Sequence, residues 1–202
     1  DILVDHTCTD LRLIPDSAIE RAIDNLHIVY GHTSHGSQLI SGMGGSHGDG
    51  LVRFLSGSPK YWDSTTPERF RWNNGGLIGE NVVLDLHDRG MGGDVGYYPQ
   101  WVDNTRSYLD NASNSDVNVV IWSWCGQASI RTEQGMIDTY LSPMAALESE
   151  YPDVTFVYMT GHLDGSGSEG TLNQRNEQIR AFCRDNNKVL FDFADIESYG
   201  PG

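Results

Sequence analysis

The chain has 202 residues, with 28 acidic against 13 basic side chains and a formal net charge of −15. A surface of that sign repels nucleic acid and anionic membrane, and no Lys/Arg cluster offsets it, so nucleic-acid partners are excluded. No apolar run approaches the ~20 residues of a membrane span, and the length suits one domain, 1–202, with a core of its own.

Taken in chain order, Ser17-Ala18-Ile19-Glu20 after Pro15 reads as a capping box, with Ile19, Ile23 and Leu26 following at helical spacing. His27-Ile28-Val29-Tyr30 reads as a short buried strand. It breaks at Gly31 into Gly31-His32-Thr33-Ser34-His35-Gly36-Ser37-Gln38, which opens a helix through Leu39 and Ile40. The glycine-rich stretch 42–50 ends or interrupts that helix. Residues 56–80, with Tyr61, Trp62, Phe70 and Trp72, read as a long irregular loop, and loops of that length in a compact domain are usually functional.

Val82 to Leu86 is the second predicted strand, followed by His87-Asp88-Arg89-Gly90. Pro99 suits the first turn of a helix whose Trp101, Val102, Thr105 and Leu109 share a face. Val117 to Trp122 is the third strand and runs into Ser123-Trp124-Cys125-Gly126-Gln127. Met136 to Leu141 mark a helix that Ser142-Pro143 restarts. Val154 to Met159 is the fourth strand, ending in Thr160-Gly161-His162-Leu163-Asp164-Gly165. Leu172, Ile179, Phe182 and Cys183 define another helix, and Val189 to Phe193 is the last strand.

Apolar strands alternating with helices predict an α/β three-layer sandwich, with a mostly parallel, flavodoxin-like sheet of about five strands. Ligands in such sheets bind at the carboxyl ends of the strands. Here those ends hold four of the seven histidines, His32, His35, His87 and His162. A hydroxyl at a strand-to-helix turn has a helix amino terminus behind it, which favours an oxyanion. Ser34 and Thr33 are therefore the candidate nucleophiles, with Ser37 as a helix cap.

A serine nucleophile needs a base, and the base needs an orienting group. His162 is the first choice of base, with Asp164, Asp195 or Glu197 to orient it; His35 is the alternative and His87 a weaker one. Gly90 and Gln127 are the expected oxyanion donors. Trp122 and Trp124 are expected to point to opposite faces of the sheet, with Trp122 in the core and Trp124 flooring a sugar or other flat ligand.

The three cysteines contain no CxxC pair, which argues against structural zinc. Cys8–Cys183 is the preferred disulfide, because Cys125 falls at the expected site. High acidity, low lysine and a disulfide lean towards a secreted or periplasmic protein, read as starting at Asp1 in a mature or trimmed form. Three reduced cytosolic thiols are the alternative.

With Tyr30-Gly31-His32-Thr33-Ser34-His35-Gly36 after the first strand, Asp88-Arg89-Gly90 after the second and Cys125-Gly126-Gln127 after the third, the chain resembles the SGNH/GDSL hydrolase family. The resemblance covers the general order of the chain and implies a flavodoxin-like fold with a serine nucleophile after the first strand. It matches no block in full. Gln127 stands where the family carries Asn, and Asp192-Phe193-Ala194-Asp195 lacks the histidine of the family's last block.

Three functions compete. The first is a secreted esterase that removes acyl groups from a polysaccharide or a small ester, needing no cofactor. The second is a histidine-based or metal-assisted polysaccharide lyase, in which His32, His35, His87 and His162 act as bases or hold a divalent metal, with Arg89 or Arg131 neutralising an acidic sugar. The third is a non-catalytic carbohydrate-binding module, with the Asp164–Glu169 turn offering oxygens to calcium.

Overall fold

The computed structural model describes residues 2–10, 13–43 and 70–199. Among them one sheet contains β1 (Ile2–Val4), β2 (His27–Gly31), β3 (Trp72–Asn73), β6 (Leu84–Asp88), β7 (Val119–Trp122), β8 (Thr155–Met159) and β9 (Val189–Phe191), all pairing in parallel. A separate antiparallel hairpin joins β4 (Leu77–Ile78) to β5 (Asn81–Val82). The helices are α1 (Asp16–Asn25), α2 (Ser37–Gly42), α3 (Gln100–Leu109), α4 (Glu133–Met136), α5 (Ser142–Glu150), α6 (Thr171–Asp185) and α7 (Phe193–Ser198).

The large sheet runs β1-β9-β8-β7-β2-β6-β3. Without its two outermost strands the order is β6-β2-β7-β8-β9, which in chain order is the flavodoxin-like 2-1-3-4-5. The expected α/β layered fold is present, with seven strands in the main sheet rather than five. The two additional strands, β1 and β3, have three and two residues, too few to show a periodicity. The winding reverses between β2 and β7, so a crevice is expected beyond their carboxyl ends.

Alternation along each strand feeds two cores. Val29, Val120 and Trp122 belong to the larger one, with Trp101, Tyr140, Met144 and Phe156. Tyr30 and Leu86 belong to the smaller one, with Ile40 and Trp72, and Ile28 and Ile121 pack against it. Trp72 is thus a core residue on β3 rather than part of an irregular loop. Tyr61 and Trp62, and most of the glycine-rich stretch, lie outside the described residues.

Several local expectations change. Helix α1 starts at Asp16, with Pro15 as a cap residue that supplies no side-chain bond, so Ser17 lies inside the first turn rather than capping it. Val82 belongs to the hairpin, and Phe193 opens α7 instead of ending the last strand. No restart occurs at Ser142: a π-helical segment, Ile137–Leu141, carries the backbone from α4 into α5. Pro143 follows that wider turn, inside a continuous helical backbone. All three cysteines are free, so the Cys8–Cys183 disulfide is not formed. Cys8 is exposed, while Cys183 is buried on α6, where burial pushes its thiol up to about 12.

Candidate active site

The backbone leaves β2 at Gly31, makes a 3-10 turn over Ser34–Gly36 and enters α2. Ser34 is exposed and has φ 39°. A serine in that left-handed conformation costs on the order of 1 kcal/mol or more, and such strain gathers at functional turns. The turn is held from below by close packing. A Cβ on Gly36 would stand 2.2 Å from Ser123 Oγ, 2.5 Å from His32 Cβ and 3.0 Å from the Tyr30 hydroxyl. The Tyr30 hydroxyl itself donates to the Gly36 carbonyl at 3.0 Å.

His35 turns towards the end of β8. Its ring stacks on His162, with centroids 3.5 Å apart and planes at 17°. The turn that carries Ser34 therefore lies against the turn that carries His162. His162 Nδ1 is 2.8 Å from the Leu163 carbonyl oxygen. A carbonyl only accepts, so Nδ1 holds the proton and Nε2 of the neutral ring carries the lone pair. That Nε2 is buried and has no hydrogen-bond partner, and neither has His35 Nδ1. Buried nitrogens left unpaired are uncommon and ask for an explanation.

Leu163 is fixed in turn. Its N–H donates to Glu197 Oε2 at 2.7 Å, so Glu197 on α7 steadies the residue whose carbonyl orients His162. Asp164 does not orient His162: its Oδ1 accepts the Ser166 N–H at 2.9 Å inside its own turn. The hydrogen bonds from Ser166 hold its carboxyl below the usual range. Asp195 is engaged elsewhere, with His6 Nδ1 at 2.6 Å. Asp192, the first residue of the family-like last block, accepts two bonds from Arg180 at 2.6 and 2.8 Å.

A buried carboxylate that the sequence reading missed ties the β2 and β7 turns together. Asp94 accepts the Thr33 hydroxyl on Oδ2, and on Oδ1 the Gln127 amide at 3.1 Å and the Gly96 N–H at 2.9 Å. Thr33 and Gln127 are therefore structural partners of Asp94, and one of the two Gln127 amide hydrogens is committed to that carboxylate. The other expected donor, Gly90 N–H, points back to the His87 carbonyl at 3.4 Å. Gly90 and His87 also line a cavity at another part of the sheet, away from the Ser34 turn.

A second row of polar groups runs beside the first. His32, 1% exposed, places Nε2 2.6 Å from Asp88 Oδ1, and its Nδ1 faces Ser37 Oγ at 3.4 Å. Arg89 donates to the same Ser37 oxygen at 3.0 Å. Burial, outweighing Asp88, holds the His32 pKa below its ordinary value. Ser37 thus bridges two side chains instead of serving only as a helix cap.

Trp124 is 2% exposed and packs edge-on against Tyr140, 4.9 Å away. It shares the larger core with Trp122, because residues two apart on an extended chain face the same way. It is neither a ligand floor nor on the opposite face. The exposed large apolar residues of the site loops are instead Tyr97, Tyr98, Ile130 and Leu163. Tyr97 and Tyr98 follow the Asp94 bridge, Ile130 ends the 3-10 turn of Gln127, and Leu163 adjoins His162. No protein-family model matches the chain, and no curated protein or solved structure shows significant similarity to it.

Proposed function

We propose that the chain is a serine hydrolase of the SGNH type, with Ser34 as nucleophile and His162 as base, cleaving ester-linked acyl groups from a polysaccharide or a small ester outside the cytoplasm. The observation that carries this reading is His162 Nε2: buried, unpartnered, and held as the lone-pair nitrogen beside the strained turn of Ser34.

In this reaction Ser34 Oγ attacks the acyl carbonyl while His162 Nε2 takes its proton. The tetrahedral intermediate expels the alcohol, which receives that proton from His162. A water activated by the same nitrogen then releases the acid and frees Ser34. Glu197 acts at a distance, by steadying Leu163. The backbone carbonyl of Leu163 takes the place that a carboxylate holds in the usual triad. The exposed Tyr97 and Tyr98 supply flat apolar surface suited to a sugar ring. Among the described residues no helix is long and apolar enough to cross a membrane.

The Ser37-His32-Asp88 row favours a second reading, because it places a serine, a histidine and a carboxylate in sequence. Ser34 is preferred. Its side chain is exposed, whereas the Ser37 oxygen is only partly exposed and is already held by the Arg89 guanidinium at 3.0 Å.

The test is labelling with a fluorophosphonate probe, mapped to the residue by fragment mass spectrometry, alongside hydrolysis of an activated acetate ester. The label is expected on Ser34. Ser34→Ala and His162→Gln are each expected to lower ester hydrolysis by about a thousandfold or more, with circular dichroism unchanged. A label on Ser37, lost in Ser37→Ala, would transfer the role to the second row. Full activity in Ser34→Ala would overturn the proposal.

A further inference from the structure

A second group of titratable side chains stands at the amino-terminal end of β2 and β6 and faces a cavity of about 760 Å³. His27 opens β2 and pairs in register with Asp85 of β6, so the two side chains project side by side from one face of the sheet. His27 Nδ1 is 2.9 Å from Asp85 Oδ2 and 3.8 Å from Asp116 Oδ2. All three donor atoms lie within 4.8 Å of one another. A divalent ion holding nitrogen and oxygen donors at ~2.0–2.2 Å sets neighbouring donors about 3 to 3.5 Å apart. The two spacings from His27 bracket that range.

Asp85 is prepared for this role. It is 4% exposed, and its Oδ1 is occupied by His87 Nε2 at 3.0 Å and the Gly75 N–H at 2.7 Å. Oδ2 is thereby left to face His27. His87 Nδ1 is bonded in turn to the Tyr108 hydroxyl. An outer layer of this kind fixes a carboxylate that binds metal. The charge of the cavity points the same way. Among the described residues three carboxylates line it, Asp24, Asp85 and Asp116, and no lysine or arginine does. The buried Asp85 has only the imidazoles of His27 and His87 beside it, at 2.9 and 3.0 Å, and a buried carboxylate is costly unless it is well paired.

We propose that His27, Asp85 and Asp116 bind one divalent transition-metal cation of the Zn²⁺ or Mn²⁺ class at the wall of this cavity. One imidazole with two carboxylates suits such ions, whereas Ca²⁺ takes six to eight oxygens. The cation joins three segments distant in sequence: the start of β2, the start of β6 and the turn before β7. It lies at the far end of β2 from Ser34, four residue steps or roughly 13 Å along the strand to Gly31 alone. Its role is to clamp the sheet, and it is separate from ester cleavage.

The experiment is calorimetric titration of the EDTA-treated, dialysed full chain with ZnCl₂, MnCl₂ and CaCl₂, with thermal unfolding of the same samples. One equivalent of Zn²⁺ or Mn²⁺ is expected to bind more tightly than Ca²⁺ and to raise the Tm. His27→Gln and Asp116→Asn change partly exposed groups that leave the core intact, and each is expected to weaken binding at least tenfold. His6→Gln, in the separate Asp5-His6-Asp195 cluster, and Ser34→Ala are expected to leave it unchanged. Absence of transition-metal binding at 1 mM (about a 4 kcal/mol limit) would overturn the proposal. So would binding that survives both cavity variants, or that His6→Gln removes.

Discussion

At the residue scale, Asp94 decides whether the site holds its shape. Its carboxylate is buried and accepts three donors from three different segments, Thr33, Gly96 and Gln127. Asp94→Ala leaves the Gly96 N–H and the Gln127 amide without an acceptor, and burying such unpaired groups costs about 1–3 kcal/mol each. A loss of about 2–4 kcal/mol in urea unfolding is expected, and, on the proposed function, slower ester hydrolysis as the β2 and β7 turns separate. Asp94→Asn should lose less than half as much, since its carbonyl still receives Gly96 and Gln127 while its amide donates to the Thr33 oxygen. Equal losses in the two variants would mean that charge, rather than hydrogen-bond count, holds this bridge. None of this was legible beforehand. Asp94 lies in a glycine-rich loop with no periodic pattern, and its partners come from turns 33 and 61 residues away in the chain. His162, by contrast, could be picked out from its place after an apolar strand. The carbonyl that orients it could not, since a backbone acceptor leaves no trace in side-chain identity, and so the neighbouring Asp164 drew the assignment.

At the element scale, the meeting of β2 with α2 depends on glycines that admit no side chain. The Trp122 ring on β7 occupies the place where a Cβ on Gly31 would stand, at 2.3 Å, and Gly36 is closed off by Ser123 and His32. Gly36→Ala forces this packing apart, and overpacking of a close interior typically costs about 1–3 kcal/mol. Gly126, at the start of the turn after β7, has nothing within 4 Å and no left-handed φ. Gly126→Ala should therefore change stability by less than about 0.5 kcal/mol, as surface substitutions do. Thermal unfolding of the two variants side by side checks the contrast, and a Gly126→Ala protein as unstable as Gly36→Ala would refute it. The same contrast shows what sequence patterns carry. Buried parallel strands read as apolar runs, so β2, β6, β7, β8 and β9 were legible with ends exact or off by one or two residues. The edge strands β1 and β3 were not, because two or three residues cannot display alternation. The π segment Ile137–Leu141 was hidden as well. Ser142-Pro143 suggests a break, but an i→i+5 turn lets the backbone pass the proline without leaving the helix.

At the scale of the whole molecule, charge is the dominant uncompensated term. Twenty-eight acidic side chains face thirteen basic ones, giving a net −15. Some basic groups are already committed: Arg106 to Glu150 at 2.7 Å, Arg180 to Asp192 at 2.6 Å and Lys188 to Glu148 at 2.5 Å. The remaining carboxylates repel one another across a folded surface, and unfolding moves them apart. Salt shortens the reach of that repulsion, with a Debye length falling from about 30 Å at 0.01 M to about 10 Å at 0.1 M. Salt also weakens exposed pairs such as Arg106–Glu150, but such pairs are worth at most about 1 kcal/mol each. The partly buried Arg180–Asp192 pair is screened less. The many repulsions should therefore outweigh the few attractions. Raising NaCl from 10 to 300 mM is expected to stabilise the chain by about 1 kcal/mol or more, which for a protein of this length moves the Tm upward by about 2–4 °C. The measurement is thermal unfolding across that series in EDTA, so that no cation occupies the His27 cavity. A Tm that falls with salt would mean that the ion pairs, rather than the net charge, govern the stability of the fold.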